Sequence, residues 1–545
     1  MIKNLEFLRT MRAKKSCLFF IMQILALISY SQQKEFLITA YGARPDGITN
    51  NVAAIQKAID DASAAGGGRV LVPRGRFLSG VIHLKTNVEL NIHEEAVLLA
   101  STNRADYGPS LQASAFLVAN NQKNISVTGK GLIDGQSDLL VNDIYVKLRA
   151  GELYDDEWKE FNPWHQRRPS EKNRPRMIEF KNCDGVTLKD IRLQNAAAWV
   201  QNYKNCSNII IDGIQVFSNT FLNNDGIDLV DCKNARITNC FVNAADDGIC
   251  LKSEDRNSIC ENIYIANCRV RSSASAVKLG TASKGGFKKI TIRNIEVYDT
   301  YRSAIAIETV DGGVMEDIDV RNINAVNTGN AIFIRLGHRN KDSVYSRMKN
   351  VYVGNIKVKV PKEKPDKGYP MDGPELRDPP TTKSSESPWN FAIDTSATLY
   401  PHNVFPSSIT GIPGHYVENV TLENIEIIYE GGASKEVNYF PVDSLKNITE
   451  AISSYPEFSM FGELPAWGFY VRHVKGLTMK NIKLTSVKPD FRVACIFDDV
   501  SKLKLDGVSV VSNKNNPAII LNKVKEYLLN RLKLPTEISK SVKVQ

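Results

Sequence analysis

The sequence predicts an all-β protein, a right-handed parallel β-helix with one helix capping its N-terminal end. Three observations carry that reading. A short apolar alternation recurs through the middle of the 545 residues, at Gly185-Val186-Thr187-Leu188, Asn208-Ile209-Ile210-Ile211, Asn234-Ala235-Arg236-Ile237, Asn262-Ile263-Tyr264-Ile265, Lys289-Ile290-Thr291-Ile292 and Asp317-Ile318-Asp319-Val320. The starts lie 23, 26, 28, 27 and 28 residues apart. Each copy sets β-branched residues in period two and then turns on Asn, Asp or Gly, while helical periodicity is absent between the copies. Units this short cannot bury an apolar face alone and must stack, with right-handed parallel connections. Further copies begin at Asn350, Asn419, Gly476 and Ser501. The Leu-x-x-Leu-x-Leu spacing of a leucine-rich solenoid is not seen.

The elements follow in order. Lys3, Arg9, Arg12, Lys14 and Lys15 precede an apolar run from Cys17 to Ile28, and Ser29-Tyr30-Ser31 supplies the small residues of a cleavage site before Gln32. Residues 1–31 therefore read as a signal peptide, too short in its apolar part to anchor the chain, and the protein as exported to the periplasm or beyond. Residues 32–120 hold the cap and the first coils. Phe36 to Tyr41 reads as a strand, Pro45-Asp46-Gly47 as a turn. Val52, Ile55, Ile59 and Ala62 then form an apolar stripe at helical spacing, capped by Thr49 or Asn50 and ended by Gly66-Gly67-Gly68. That helix covers the open end of the stack, which would otherwise expose strand edges. Val70-Leu71-Val72 and Val88-Glu89-Leu90 continue as short strands.

Residues 121–515 form the β-helix proper, with insertions near 140–175 and 361–415. The first carries Tyr145, Tyr154, Trp158, Phe161, Trp164 and His165 among Arg167, Arg168, Lys172 and Arg174. It reads either as the wall of a sugar groove or as a loop packing its own aromatics. The second is rich in Pro, Ser and Asp. Coils resume at Asn419 and run to near 512. Residues 516–545 are a C-terminal segment whose Lys-rich end, from Lys540, is expected to fray.

Formal net charge is +9; cleavage removes five basic residues and one acidic, leaving about +5. That suits an acidic polysaccharide, and the basic residues are too scattered for a nucleic-acid partner. The expected partner is a polysaccharide or oligosaccharide, with no membrane span and a monomeric chain. Eight cysteines remain after cleavage. The Asn-Cys pairs at 182–183, 205–206, 239–240 and 267–268 sit at similar points in successive coils, so most thiols are expected to pack as small apolar groups, with a disulfide framework as the alternative. No Cys-x-x-Cys or clustered His points to a metal, and no cofactor is called for.

The chemistry lies in Asn223-Asn224-Asp225 and Asp246-Asp247. Both groups follow the strand of their coil, in neighbouring layers about 4.8 Å apart, so the carboxylates can meet. Acids that close raise the pKa of at least one, which can protonate a leaving oxygen while another activates water. A separation of about 6.5–9.5 Å would leave room for that water and give inversion. Singly, Asp-Gly pairs such as Asp225-Gly226 and Asp247-Gly248 are ordinary turn formers.

Over nearly the whole mature chain the sequence resembles the glycoside hydrolases of family 28, which include polygalacturonases and rhamnogalacturonan hydrolases. The stretch Ile38 to Gly47, Ala53-Ala54-Ile55-Gln56 and Gly66-Gly67-Gly68 resembles the opening segment of bacterial members, and Gly129-Lys130-Gly131-Leu132-Ile133-Asp134-Gly135 a second signature. The family's Asn-Thr-Asp matches Asn223-Asn224-Asp225. Its Gly-Asp-Asp matches Ala245-Asp246-Asp247, followed by Leu251-Lys252-Ser253. The resemblance implies the pectin lyase-like solenoid, Asp246 as general acid, and Asp225 with Asp247 positioning and deprotonating water; Asn223 and Lys252 are carried over as substrate contacts. Two motifs depart. Ala274-Ser275-Ala276 stands where the family has Gly-His-Gly, and Ala306-Ile307-Glu308 where Arg-Ile-Lys grips a galacturonate carboxylate, a position at which Glu308 would repel it. Lys278 and Arg335, in adjacent coils, are candidate replacement cations or solvated faces; Glu308 is a candidate partner for the hydroxyls of a neutral sugar.

The expected function is hydrolysis of a pectin-type plant polysaccharide, inverting and exo-acting, by Asp225, Asp246 and Asp247. A β-helix polysaccharide lyase using calcium on the same acids, and a non-catalytic carbohydrate-binding β-helix, are the rival readings.

Overall fold

The computed structural model describes residues 34–158, 169–219, 221–363, 365, 402–512 and 517–545. They form one continuous set of parallel strands in which each strand pairs with its counterpart one coil earlier and one coil later. Period-two alternation makes each coil one layer of core. In the first of the three sheets, Phe180, Tyr203, Leu229, Leu251, Leu279 and Ile307 stack rung on rung and are buried. Their outward neighbours form a second row, Glu179, Asn202, Asp228, Cys250, Lys278, Ala306, Phe333 and Ser408, which continues through Tyr470 and Ile496. This outward row positions the site.

The corners are set by residues in the left-handed region. Asn239, Asn267, Asn294, Asn322 and Asn355 all have φ between 53° and 60°, a conformation asparagine tolerates better than most residues. Their amides bond in a continuous ladder: Asn267 donates to Asn239 at 3.3 Å, Asn294 to Asn267 at 3.0 Å, Asn322 to Asn294 at 2.9 Å and Asn355 to Asn322 at 3.1 Å.

Several expectations need correction. The Asn-Cys pairs belong to two different corners: Cys183 and Cys206, in line with Cys232 and Cys260, precede the strand row that starts at Asp184 and Ser207, and Cys240 and Cys268 precede the row that starts at Phe241 and Arg269. All eight described thiols are buried and free. The strand predicted at Phe36 to Tyr41 is only Glu35–Leu37, followed by a 3-10 turn over Ile38–Tyr41. Helix α1 (Val52–Ala64) buries Ile55, Ala58, Ile59 and Ala62. Its N-cap is Asn51, whose side chain bonds elsewhere; Asn50 Oδ1 accepts from Val52 N at 3.1 Å, and Thr49 is turned to Asp46.

The first insertion contains a helix that the reading missed, α2 (Ser137–Ala150). It buries Leu140, Val141, Ile144, Tyr145 and Leu148 at helical spacing. Tyr145 packs against Trp158 at 5.6 Å, while Phe161, Trp164, His165, Arg167 and Arg168 lie outside the described residues, as do residues 1–33 with the signal-peptide reading and 366–401 of the second insertion. The ladder resumes at Ser407–Thr410, before Asn419. It also continues past 512, through Ile519–Asn522, Lys525–Asn530 and Val542–Val544. Lys543 pairs with Ile520, so the end is not frayed at that point.

A third insertion, residues 432–465, was not anticipated. Its Leu445, Ile448, Phe458, Met460, Phe461 and Leu464 pack on Ala306, Phe333, Tyr470 and Ile496 of the outward row, covering the C-terminal half of the first sheet. Among the described residues no helix is long and apolar enough to cross a membrane.

Replacing Asn294 by Ala is expected to cost about 1–3 kcal/mol, through strain at positive φ and the loss of two amide bonds. Asn294→Gly keeps the backbone conformation and should cost less. Thermal midpoints compare them, and equal losses would assign the corner's stability to the amides alone.

Candidate active site

Asp225, Asp246 and Asp247 come together: one carboxylate oxygen of each lies within 4.8 Å of the others. The stacking of two coils achieves this. Gly226 N donates to Asp247 O at 2.9 Å, and Gly248 N to Ser275 O at 2.9 Å. Both glycines are needed for close approach, since a Cβ on Gly226 would meet Gly248 O at 2.5 Å and one on Gly248 would meet Ala276 O at 2.7 Å. The Asp-Gly pairs are therefore packing joints as well as carriers of acids. These nearest oxygens lie closer than the ~6.5–9.5 Å between carboxyl groups expected of an inverting pair, a contact distance that assigns neither inversion nor retention.

Each acid has its own surroundings. Asp225 and Asp228 share Lys252, whose Nζ lies 2.9 Å from Asp225 Oδ2 and bonds Asp228 Oδ1 closely. Asp247 accepts from Lys278 Nζ at 2.9 Å and from Ser275 N at 3.2 Å. Asp246 is the most open to solvent of the three and accepts from the N–H of Asp247 at 2.9 Å. Burial and the charges of Asp225 and Asp247 push Asp246 up to about 7. Burial, with Asp228 and Asp247, likewise pushes Asp225 up to about 7 against the pull of Lys252. Burial also opposes the charge on Asp247, yet Lys278, Lys252 and Arg302 outweigh it and hold that carboxyl below its ordinary value. The cluster thus keeps a proton near neutrality on Asp225 and Asp246 while Asp247 stays ionised, the divergence that separates an acid from a base.

The remaining sequence candidates lie beneath or beside this trio. Lys252 and Lys278 are buried under it, contacting carboxylates rather than open groove. Asn223 Oδ1 accepts from Arg174 Nη2 at 2.7 Å. Glu308 is 1% exposed, with Oε2 lacking a hydrogen-bond partner among the described residues. Burial raises it to about 8, so it is a neutral acid rather than the repelling anion expected. Arg335 is not brought to the acids: it donates to Gly411 O, Glu450 O and Ala451 O, tying down the 432–465 segment.

The sequence reading missed four groups. Asp228 could have been found from its outward register on the strand Ile227–Val230. Trp199 lies 4.4 Å from Lys252 Nζ. Arg302 lies in the field of Asp246 and Asp247; it approaches Glu457 only loosely, at 3.5 Å, and its Nε has no hydrogen-bond partner among the described residues. Tyr455 is 47% exposed, and its hydroxyl accepts from Lys278 at 3.2 Å. Tyr455 and Glu457 come from the segment without a repeat, so no periodicity marked them.

The model of the glycosyl hydrolases family 28 matches residues 63–363. The Vitis vinifera protein named "Probable polygalacturonase" is 26% identical over 59% of this chain and 60% of its own length. An exo-poly-alpha-D-galacturonosidase of Dickeya chrysanthemi is 26% identical over 47% of this chain and 49% of its own. The chain thus spans 49–60% of the length of these two relatives. A hyperthermoactive exopolygalacturonase from Thermotoga maritima shares the fold, with a TM-score of 0.53 and 21% identity over 73% of this chain and 87% of its own.

Lys252→Met leaves Asp225 and Asp228 buried without their cation and is expected to cost about 3–5 kcal/mol. Adding Asp228→Asn should return part of that loss in urea denaturation; no recovery would mean that Lys252 acts by packing alone.

Proposed function

The chain belongs to glycosyl hydrolase family 28, and on that premise we propose that it is a glycosidase cleaving a pectin-type polysaccharide from one chain end. The observation that carries the reaction is the meeting of three carboxyls with different neighbours, Asp247 bonded by Lys278 Nζ and Ser275 N, Asp225 by Lys252, and Asp246 by a backbone N–H at the more open edge. Asp246, nearest solvent, gives its proton to the leaving oxygen. Asp247, fixed as an anion by Lys278, takes the proton of the attacking water, and Asp225 orients that water. The C–O bond breaks with its electron pair going to the protonated leaving group, and water supplies the new C–O bond at the sugar.

End-wise attack is supported by the 432–465 segment. It covers the outward row up to Ala306, and Tyr455 reaches Lys278, so the groove is walled on the coil next to the acids. We assign Arg302 as the group that holds a sugar carboxylate, in place of Lys278 and Arg335, because it is largely but not wholly buried, lies in the field of Asp246, and has an Nε without a hydrogen-bond partner among the described residues. The lyase reading is disfavoured by chemistry at the trio: Lys252, Lys278 and Arg302 would repel the calcium it needs. The apolar run of residues 17–28 supports action outside the cytoplasm.

Pectic oligosaccharides incubated with wild type should yield products one water heavier than their summed residues, and Asp246→Asn should lose at least about a thousandfold in rate. Unsaturated products absorbing in the ultraviolet would sink the hydrolase assignment. The anomer released, read by proton NMR, decides between single and double displacement. Activity should fall as pH rises through about 7, where Asp246 loses its proton, and should hold below it until Asp247 is neutralised. Lys278→Met should move that acidic limb to higher pH; an unmoved limb would remove Asp247 as the base. Arg302→Gln should lower kcat/KM by about 30-fold or more on free uronates and far less on their methyl esters. Equal losses on both would reduce Arg302 to a field effect on the acids.

A further inference from the structure

The wall gives the groove a direction, because a chain whose end abuts Tyr455 must extend over the coils on the N-terminal side. There, beyond Cys250, the outward row is polar for three coils. Asp228, Asn202 and Glu179 succeed one another at about 4.8 Å per coil, and Asn202 donates to Glu179 Oε1 at 3.1 Å. Two acceptors on this row, Asn202 Oδ1 and Asp228 Oδ2, have no hydrogen-bond partner among the described residues. Buried acceptors without donors are costly, and hydroxyl groups are what would complete them. Trp199 stands beside the row, partly exposed, with Lys252 Nζ 4.4 Å and the Arg176 guanidinium 4.5 Å from its ring centre.

Past Arg176 the row opens into a cavity of about 290 Å³, lined by Gln112, Glu171, Lys172, Arg174, Arg176 and Glu179 among others. Three cations there face two acids, the reverse of the balance at the trio. Arg174 is buried and bonded to the carbonyls of Pro169, Ala197 and Leu222, which gives the cavity a fixed rear wall. Arg176 and Lys172 keep 31% and 60% of their side chains exposed, each paired with a carboxylate at its rim.

We propose that this cavity is a distal subsite that takes a uronic-acid sugar of the substrate chain, roughly 10 Å and two coils from Asp228, with Arg176 turning from Glu179 to the sugar carboxylate. The inference rests on the glycosidase reading for the direction of the chain. It fits a guanidinium, whose planar fork matches a carboxylate in two parallel bonds.

Binding is the test, so that it survives a failure of the activity. In the Asp246→Asn background, calorimetry with galacturonate oligomers of two to five sugars should show affinity that rises once the chain is long enough to reach the cavity. Arg176→Ala should abolish that rise, about tenfold, and leave the dimer unchanged. Arg176→Lys should restore part of it, and methyl-esterified long oligomers should bind wild-type cavities no better than the dimer. A loss that is the same for every length, an affinity without dependence on length, or no binding at any length would each overturn the subsite. Among the described residues Arg176 bonds Glu179, stacks on the Trp199 ring and adds to the field at Asp228, and its side chain is 31% exposed, so a folded variant is expected; Lys172→Ala offers a second probe and should show a smaller loss of the same length dependence. Hydrolysis by wild type with no effect of Arg176→Ala would sink the subsite and leave the glycosidase reading standing.

Discussion

The register of one coil on the next is the constraint from which everything else follows. A slip of one residue would exchange the buried and outward rows, placing Asp228 and Lys278 in the core and Leu229 and Leu279 in water. What prevents the slip is the corner: an asparagine at positive φ, bonded through its amide to the asparagine above and below. Each corner fixes where its strand begins, so the alternation of the whole strand is set from one end. Strand length and loop length can then vary freely, as the insertions near 140–175 and 432–465 show.

Such a scaffold brings charges to spacings that an ordinary surface avoids. Five carboxyls, those of Asp225, Asp228, Asp246, Asp247 and Glu308, lie in or beneath the groove, with Lys252, Lys278 and Arg302 among them. Three cations cannot compensate five anions in a medium of low dielectric, so some of the acids keep their protons. Which ones do so is decided by contact. Asp247 has a lysine of its own, Asp225 and Asp228 share one, and Asp246 and Glu308 have none within bonding distance among the described residues.

Much of this was legible in the sequence, and the limits have physical reasons. The repeat showed the strands because a β-helix writes its core in period two, and the three acids were found because each follows a recognisable copy. Helix α2 carries helical spacing at Leu140, Ile144 and Leu148, but its N-cap is Gln136, whose side chain makes no capping bond, so no start signal marks it in the sequence. Arg335 looked like a groove cation from its strand position; only the 432–465 segment, which has no repeat, shows that its guanidinium is taken by loop carbonyls. Tyr455 and Glu457 reach Lys278 and Arg302 from that same segment, Tyr455 across 177 residues. Local pattern carries no information about a contact of that kind. The two departures from the family pattern also read differently in three dimensions. Ser275 serves Asp247 through its backbone N–H, whatever its side chain, and Glu308 lies under the floor as a neutral acid.

The wall built by residues 432–465 has a consequence for traffic through the proposed enzyme. It stands on the coil beside the acids, so under the proposed end-wise attack the sugar released by cleavage would lie between Tyr455 and the rest of the chain and would leave when the chain withdraws. On that proposal each turnover would end with both pieces leaving through the same mouth, and the enzyme would work distributively: it would trim one end, let go, and meet every chain in the mixture in turn instead of running along one of them.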